Sequence, residues 1–359
     1  MLRTFDLVVV GAGIVGAMTV CLARREKPDW NILILDRSFV GDGSTRYSLG
    51  LDIPYGHSAR QKQLSLTSER LFRQLQTIIP DLPFQRLPLY GVASEARAGT
   101  VVGNFTGDTI HRADCREEET LRRSYPDFRL PAGDILLAGC EGVYASPQII
   151  ASRLIDWSVE SGMVECWEGV EAREVRACGG NDGDDGFTLA TTDGRSVQAR
   201  RVLMATGPWL LQGPTADFAA GAGVRIKKTA ALHIARRPAP HDPILFFFEE
   251  DAFLLPLHER GEWMFSFTSQ EWDVAPEISQ LKISGADRDL ALAILHRYCP
   301  SFVADCRGGR VFCDAYSPDR VPLVRQVSGM RDYIAAGACS GSGYRLAPAI
   351  ALEALKQFS

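Results

Sequence analysis

The segment that most constrains the fold is Gly11-Ala12-Gly13-Ile14-Val15-Gly16, which lies between a short apolar run and a helical pattern. Residues 6–10 contain a short apolar run, Leu7 to Val10, which is mostly β-branched and bounded by glycine, and they predict a buried parallel strand. A helix is predicted from Ile14 to Arg25, and residues 31–35 repeat the strand pattern up to Asp36. The sequence therefore predicts a β-α-β unit of about thirty residues.

Each part of this segment has an expected physical role. Gly11 permits a tight turn, Gly13 lets the backbone approach a pyrophosphate, and Gly16 allows the helix to pack closely on the strand. The helix N-terminus faces the anion. Asp36, twenty residues after Gly16, is placed to accept hydrogen bonds from a ribose. The segment predicts an adenine dinucleotide site, without separating FAD from NAD, and the site comprises Gly11, Gly13, Ile14, Val15, Gly16, Asp36 and Arg37.

Composition narrows the class of protein. The 359 residues leave room for two domains, and shares of 46% apolar and 23% charged residues are typical of a globular chain. A net charge of −5 gives no basic surface for nucleic acid, so a small-molecule partner is expected. The nine cysteines include no C-x-x-C pair, and no segment reaches the ~18 apolar residues of a membrane span. We expect reduced thiols, no metal site, no membrane span and a cytoplasmic location.

Local patterns along the rest of the chain predict further elements. Amphipathic periodicity and a helix-opening proline indicate two helices, whereas short β-branched runs and an Asp-Gly turn indicate strands. Glycine and aspartate dominate one stretch, residues 178–186, which is predicted to be a surface loop. The predicted helices are 59–79 and 147–161, and the predicted strands are 187–192, 196–199, 202–205 and an antiparallel group within 244–268.

Two later segments favour FAD over NAD. Residues 202–209 form a strand that ends in Ala-Thr-Gly-Pro-Trp, and residues 335–345 form a strand that leads into a glycine loop and a helix. With the N-terminal segment they resemble the FAD-dependent oxidoreductases typified by D-amino-acid oxidase, glycine oxidase and monomeric sarcosine oxidase. Residues 317–323 and 142–147 also resemble segments of that family. The similarity extends over nearly the whole chain.

The resemblance implies an α/β fold in which a Rossmann-like FAD-binding domain is interleaved with an α+β substrate domain built on an antiparallel sheet. The FAD-binding domain is expected at 1–80, 144–215 and 309–359, and the substrate domain at 81–143 and 216–308. It also implies FAD contacts by three further groups of residues. These are Ser44, Thr45 and Arg46; Val170, Thr206, Gly207 and Trp209; and Gly341, Ser342, Gly343, Tyr344 and Arg345.

The candidate catalytic residues are Arg46, Arg345, Tyr344 and His258. An arginine matches a carboxylate with two hydrogen bonds, so Arg46 or Arg345 is expected to hold an anionic substrate. A solvated surface arginine at Arg46 and a salt-bridged arginine at the helix start for Arg345 are the competing interpretations. His258 is placed among aromatic strand residues that either line the pocket or pack in the core.

Three positions depart from the pattern of sarcosine oxidase. Ser342 replaces a histidine of the glycine loop, and Met264 stands where a lysine assists the reaction of reduced flavin with oxygen. Phe312 holds the place of the cysteine that bonds flavin covalently, with Cys313 one residue away. We therefore expect noncovalent FAD, and both the substrate and the electron acceptor stay open.

The resemblance implies oxidation of an amine or amino acid, with hydride transfer from the carbon bearing nitrogen to flavin N5 and reoxidation by oxygen. Two alternatives remain at this point. One is a dehydrogenase of an amine or 2-hydroxy acid that uses a quinone or protein acceptor, which Met264 favours. The other is a flavin-binding subunit of a hetero-complex. The sequence predicts no oligomeric state.

Overall fold

The computed structural model describes residues 2–178 and 186–358. The loop predicted at 178–186 therefore lies, apart from its two end residues, outside the described residues. The α-helices are α1 (Ile14–Glu26), α2 (Ser44–Tyr47), α3 (Ala59–Ile78), α4 (Ala98–Asn104), α5 (Cys115–Ser124), α6 (Pro147–Val159), α7 (Ala216–Gly221), α8 (Gly285–Tyr298) and α9 (Gly343–Gln357).

The strands belong to three sheets. They are β1 (Arg3–Phe5), β2 (Leu7–Val10), β3 (Ile32–Leu35), β4 (Leu51–Asp52), β5 (Gln85–Ser94), β6 (His111–Arg112), β7 (Asp134–Tyr144), β8 (Val164–Trp167), β9 (Ala172–Cys178), β10 (Gly186–Thr191), β11 (Ser196–Ala199), β12 (Val202–Met204), β13 (Arg225–Ile234), β14 (Ile244–Phe247), β15 (Ala252–Leu257), β16 (Glu262–Phe267), β17 (Cys306–Tyr316), β18 (Leu323–Gln326) and β19 (Tyr333–Gly337).

A six-stranded sheet of order β18-β19-β12-β2-β3-β8 carries the predicted β-α-β unit. All neighbours in it are parallel except β18, which runs antiparallel to β19. Its central strands are fully buried, as their continuous apolar runs predict. Helices α1, α3, α6 and α9 contribute to the apolar core on one face. The predicted helices at 14–25, 59–79 and 147–161 are confirmed by α1, α3 and α6.

A nine-stranded sheet forms the second large layer, in the order β17-β13-β16-β15-β14-β5-β7-β4 with β6 beside β7. Its strands are antiparallel except for the parallel pair β14 and β5. The antiparallel group predicted within 244–268 is confirmed by β14, β15 and β16. Helices α5 and α8 cover one face of this sheet with a dense aromatic core.

A four-stranded sheet, β1-β11-β10-β9, completes the architecture. The hairpin predicted between β10 and β11 is confirmed, and Gly194 at its turn has φ 84°. Each described helix is too short or too polar to span a bilayer.

The fold is an interleaved α/β arrangement, as predicted. Strands of the six-stranded sheet come from three separate parts of the chain, around β2 and β3, β8 and β12, and β18 and β19. The segments between them build the nine-stranded sheet. Two strands cross the boundaries expected from sequence, because β4 pairs with β7 and β17 with β13 in the larger sheet.

Candidate active site

The turn before α1 and the start of that helix contain three glycines, two of which, Gly11 and Gly16, no other residue can replace without moving the backbone. Gly11 has φ 103°, and a Cβ there would lie 2.5 Å from the carbonyl oxygen of Ala205. A Cβ on Gly16 would lie 1.9 Å from the carbonyl oxygen of Gly11. A Cβ on Gly13 would meet only the Thr45 hydroxyl, at 3.2 Å. Gly13 thus keeps the entrance to the helix open, whereas Gly11 and Gly16 shape the turn.

The N-terminus of α1 is available to an anion. Gly13 is its N-cap and supplies no side-chain cap. The Ile14 N–H donates to the Thr45 hydroxyl at 3.0 Å, and Asp36 accepts the Ala12 N–H at 2.7 Å. Burial raises the pKa of Asp36, and the N–H donors oppose that rise. The other N–H groups of the first turn have no intrahelical partner, which is the usual basis for phosphate binding at a helix N-terminus.

A cavity of about 1010 Å³ extends from this turn, past the loop at 338–343, to the uncovered face of the nine-stranded sheet. The structure brings most of the predicted cofactor residues together around it. These are Gly11, Gly13, Ile14, Val15, Asp36, Arg37, Ser44, Thr45, Arg46, Val170, Thr206, Gly207, Trp209, Gly341, Ser342, Gly343, Tyr344 and Arg345. Gly16 is not in the lining because its role is the close packing below the turn.

Four cavity-lining residues carry a buried polar atom that lacks a partner among the described residues, and two of them, Thr206 and Trp209, follow β12. The hydroxyl of Thr206 and the indole Nε1 of Trp209 are both buried there. The Arg37 guanidinium lies 4.1 Å from the centroid of the Trp209 ring. Because buried polar groups are normally hydrogen-bonded, these atoms are suited to a polar ligand. With the glycine turn, they fit a bound dinucleotide.

The loop between β19 and α9 is held in an uncommon conformation. Ala338, Ser340 and Gly341 have φ of 48°, 52° and 80°, and for the two non-glycine residues this costs about 1 kcal/mol each. The Gly341 N–H donates to the carboxyl group of Asp314 at 2.8 Å. Burial raises the pKa of Asp314 to about 6. Such local strain is typical of functional sites.

Both predicted anion-binding arginines already have partners. Arg345 donates to the backbone oxygen of Tyr55 at 2.5 Å and to the Ser342 hydroxyl at 3.1 Å. Burial lowers its pKa, while the charge of Asp52 opposes this. Exposed Arg46 pairs with Asp42 at 2.8 Å within one helical turn. These contacts favour structural roles for Arg345 and Arg46.

The two other predicted catalytic residues, Tyr344 and His258, differ in their relation to the cavity. The Tyr344 ring packs at 5.7 Å from the Phe72 ring, and its hydroxyl is buried without a partner among the described residues. His258 does not line the cavity, because it lies in the turn after β15. Its Nε2 is buried and also lacks a partner in the part of the chain that the structure describes. His258 therefore lies away from the cavity, whereas Tyr344 is among the residues that line it.

Of three residues at or beside positions that depart from the pattern of sarcosine oxidase, one lines the cavity and two are buried in the core. Phe312 lines the cavity, whereas Cys313 packs in the core on the other side of β17. Burial raises the pKa of Cys313 to about 12, which disfavours a reactive thiolate. Met264 is fully buried in the core and does not reach the cavity.

The cavity is also lined by residues that were not identified from the sequence, among them the titratable or charged residues His57, Lys227, Asp251 and Arg320. His57 follows β4, and its ring lies edge-on to Tyr55 at 5.1 Å. Burial lowers the pKa of His57. Lys227 projects from β13, while Asp251 and Arg320 occupy turns with positive φ. No local pattern could have assigned them, since they come from four distant segments.

A model of the FAD-dependent oxidoreductase family matches residues 6–356. The chain belongs to this family. Human peroxisomal sarcosine oxidase is 23% identical over 229 residues, which cover 58% of this chain and 52% of that protein. The chain therefore aligns with about half the length of this curated relative.

Solved structures show the same fold over nearly the entire chain. Glycine oxidase from Geobacillus kaustophilus is 17% identical with a TM-score of 0.78, covering 99% of this chain and 96% of its own. L-α-glycerophosphate oxidase from Mycoplasma pneumoniae, determined with FAD bound, is 14% identical with a TM-score of 0.80, covering 99% and 95%. This protein is thus an FAD-dependent oxidoreductase, and its glycine turn and unpartnered wall atoms fit that cofactor.

Proposed function

We propose that this FAD-dependent oxidoreductase oxidises an amine or amino acid to an imine at the carbon that bears nitrogen. The observation that carries the proposal is the single cavity, which joins the dinucleotide turn to a polar and aromatic sheet face. Two similar proteins are named sarcosine oxidase and glycine oxidase, and these names support an amine substrate. When bound, FAD supplies the acceptor for a hydride, and oxygen then reoxidises it.

The residues proposed to hold FAD noncovalently are those of the glycine turn, the wall and the C-terminal loop. The first turn of α1 faces the pyrophosphate, Asp36 the ribose, and Thr206 and Trp209 supply polar atoms along the wall. The N-terminus of α9 begins at Gly343 without a side-chain cap, so its positive end favours negative charge in the cavity. Phe312, in the place of a cysteine, supports a noncovalent cofactor.

His57 is proposed to receive a proton from the incoming substrate. An amine donates a hydride only when its nitrogen is neutral, whereas amines are mostly protonated in water. Burial lowers the pKa of His57, so its imidazole is unprotonated at neutral pH. It lies in the cavity with Asp251, whose charge supports the protonated form after transfer. This role is that of a general base.

Anaerobic mixing with a panel of amines and amino acids tests the proposal directly. We expect at least one compound to bleach the visible flavin absorption, and air to restore it with release of hydrogen peroxide. Bleaching followed by slow reoxidation in air would instead support a dehydrogenase with a quinone or protein acceptor, for which the buried Met264 is the structural argument. A flavin that no amine or hydroxy acid reduces would refute catalysis by this chain alone.

A further inference from the structure

The uncovered face of the nine-stranded sheet forms one side of the cavity. Because side chains alternate along a strand, residues two apart on β13, β14, β15 and β16 share this face. Some of them line the cavity, whereas others, such as Leu255 and Met264, are buried in an apolar cluster. Cross-strand pairing places Ala231 beside Ser266, Ser266 beside Phe253, and Phe253 beside Phe246, and all four line the cavity. Their neighbours along each strand pack into the core on the opposite face.

Aromatic rings cover one end of this face. Phe246 lies 5.6 Å from Phe253 and 4.7 Å from Phe248, and the Phe248 ring stacks at 5.4 Å on Tyr55. Phe246, Phe248 and Phe253 are only partly buried, in contrast to Phe247 between them, which is fully buried. We call Tyr55, Phe246, Phe248 and Phe253 the aromatic wall. It presents apolar surface to the cavity and has room for a large apolar group.

The cavity also contains several cations, most of which are neutralised within the protein. Arg97 pairs with Glu249 and Arg46 with Asp42. Lys228 pairs with Asp287 and Glu271. Arg37 stacks on Trp209 at the dinucleotide end, and Arg345 bonds to backbone and hydroxyl oxygens. Two basic side chains of the cavity, Lys227 and Arg320, differ from these.

Lys227 and Arg320 make no ion pair with a carboxylate in residues 2–178 and 186–358. The Lys227 side chain is 7% exposed, and its ammonium group lies 4.8 Å from the Trp272 ring and 5.6 Å from the Tyr316 ring. Burial lowers the pKa of Lys227; the charge of Asp251 opposes this shift, and the charge of Arg320 adds to it. An ammonium group with so little water and no directly paired carboxylate is favourable for an incoming anion.

We propose that Lys227 and Arg320 bind the carboxylate of the substrate, and that the aromatic wall receives its apolar side chain. The substrate class is then an amino acid with an aromatic or large aliphatic side chain. This inference rests on the proposed function, which it makes more specific. It assigns the anion to Lys227 and Arg320 instead of Arg46 and Arg345, which have partners within the protein.

Binding of non-reacting analogues to the FAD-loaded protein tests the assignment without turnover. The probes are phenylacetate, its uncharged amide phenylacetamide, acetate and glycerol phosphate, measured by calorimetry and by the shift of the flavin spectrum. We expect phenylacetate to bind more tightly than acetate. Lys227→Met and Arg320→Met should each weaken phenylacetate binding about tenfold or more, since a charge-assisted contact is lost. Phenylacetamide affinity should change less than about twofold in both variants.

Matched variants separate a specific effect from a general one. Lys356→Met removes an exposed lysine at the end of α9 and should leave all affinities unchanged. Lys227→Arg should restore most of the phenylacetate affinity, because the charge is kept. Phe248→Ala should reduce the advantage of phenylacetate over acetate. Flavin content and the circular dichroism spectrum of each variant check that it is folded.

Three results would overturn the inference. These are no binding of phenylacetate to the wild type, equal binding by Lys227→Met, or equal losses for phenylacetate and phenylacetamide. Tight binding of glycerol phosphate with weak binding of phenylacetate would replace the carboxylate by a phosphate. If a compound of the amine panel reduces the flavin but Lys227→Met binds phenylacetate as tightly as the wild type does, only this inference fails. If Lys227→Met weakens phenylacetate binding but no amine reduces the flavin, only the proposed function fails.

Discussion

Two alanine substitutions in the glycine turn should separate folding from cofactor binding. In Gly16→Ala the new Cβ would lie 1.9 Å from the backbone oxygen of Gly11, so the turn or α1 has to move. Overpacking in a well-packed region costs about 1–3 kcal/mol and sometimes more. Because the obstacle here is backbone, we expect at least about 3 kcal/mol of lost stability in the flavin-free protein.

Gly13→Ala should behave differently. Its Cβ would meet only the Thr45 hydroxyl, at 3.2 Å, so the flavin-free fold should lose no more than about 1 kcal/mol, mainly from a poorer N-cap. The new methyl group, however, points to where the pyrophosphate is proposed to approach α1. We expect flavin affinity to fall at least tenfold, which corresponds to about 1.4 kcal/mol.

Urea unfolding of the flavin-free proteins and flavin content after purification provide the two measurements. The control is Gly103→Ala in α4, where a Cβ meets nothing within 4 Å. This variant should be more stable by about 0.5–1 kcal/mol, because alanine restricts the unfolded chain, and should keep its flavin. Gly13→Ala protein with wild-type flavin content would refute the placement of the pyrophosphate. Wild-type stability of Gly16→Ala would refute the steric argument.

Three further substitutions test single residues of the site. Thr206→Val removes an unpartnered buried hydroxyl, so flavin affinity should fall about fivefold while flavin-free stability is unchanged or improved, as titration and urea unfolding would measure. Burial raises the pKa of Asp314 from 3.8 to about 6, so the wild type loses stability as pH rises through that value. Asp314→Asn lacks this titration, so its free energy of unfolding should rise by about 2 kcal/mol relative to that of the wild type between pH 4 and 7. Urea unfolding at several pH values measures the difference, and parallel curves for the two proteins would contradict this. Burial lowers the pKa of His57, the charge of Asp251 opposes this shift, and the charges of Arg320, Arg345 and Arg97 add to it. The lowered pKa predicts an acidic limb of kcat/KM below pH 6.5. His57→Gln should lose that limb and about tenfold or more of kcat/KM at pH 7, and an unchanged profile would exclude His57 as the base.

The dinucleotide half of the molecule could be predicted because its constraints are local. A glycine turn between a buried strand and a helix has few alternatives, and the close approaches at Gly11 and Gly16 show the physical reason. The interleaving followed from strand signals that reappear after α6 and again before α9. Local patterns did not predict the place of β17. Its residues from 309 onwards were expected in the FAD-binding domain, but β17 pairs with β13 in the nine-stranded sheet.

The substrate half could not be predicted in the same way. Lys227 and Lys228 are adjacent, so alternation along β13 places one on each face of the sheet. Both are among the cavity-lining residues, and what distinguishes them is that Lys228 pairs with Glu271 and Asp287, which lie tens of residues away in the sequence. The pairing of Arg46 with Asp42 was not predicted from the sequence, although the two residues are four apart, a spacing at which side chains can meet on a helix or turn.

The glycine turn and the cavity-facing side chains of the nine-stranded sheet lie in different parts of the fold, so substrate binding can change separately from cofactor binding. Glycine oxidase shares the fold at a TM-score of 0.78 with only 17% identity, so the backbone framework persists while most side chains differ. A sheet face tolerates such exchange, because replacing a cavity-facing residue leaves the core on the opposite face intact. Lys227 and the aromatic wall therefore offer positions where binding can change without disturbing the glycine turn. Substitutions on this face should alter affinity for substrate analogues while flavin content stays constant, which is the separation that the Lys227 and Phe248 variants measure.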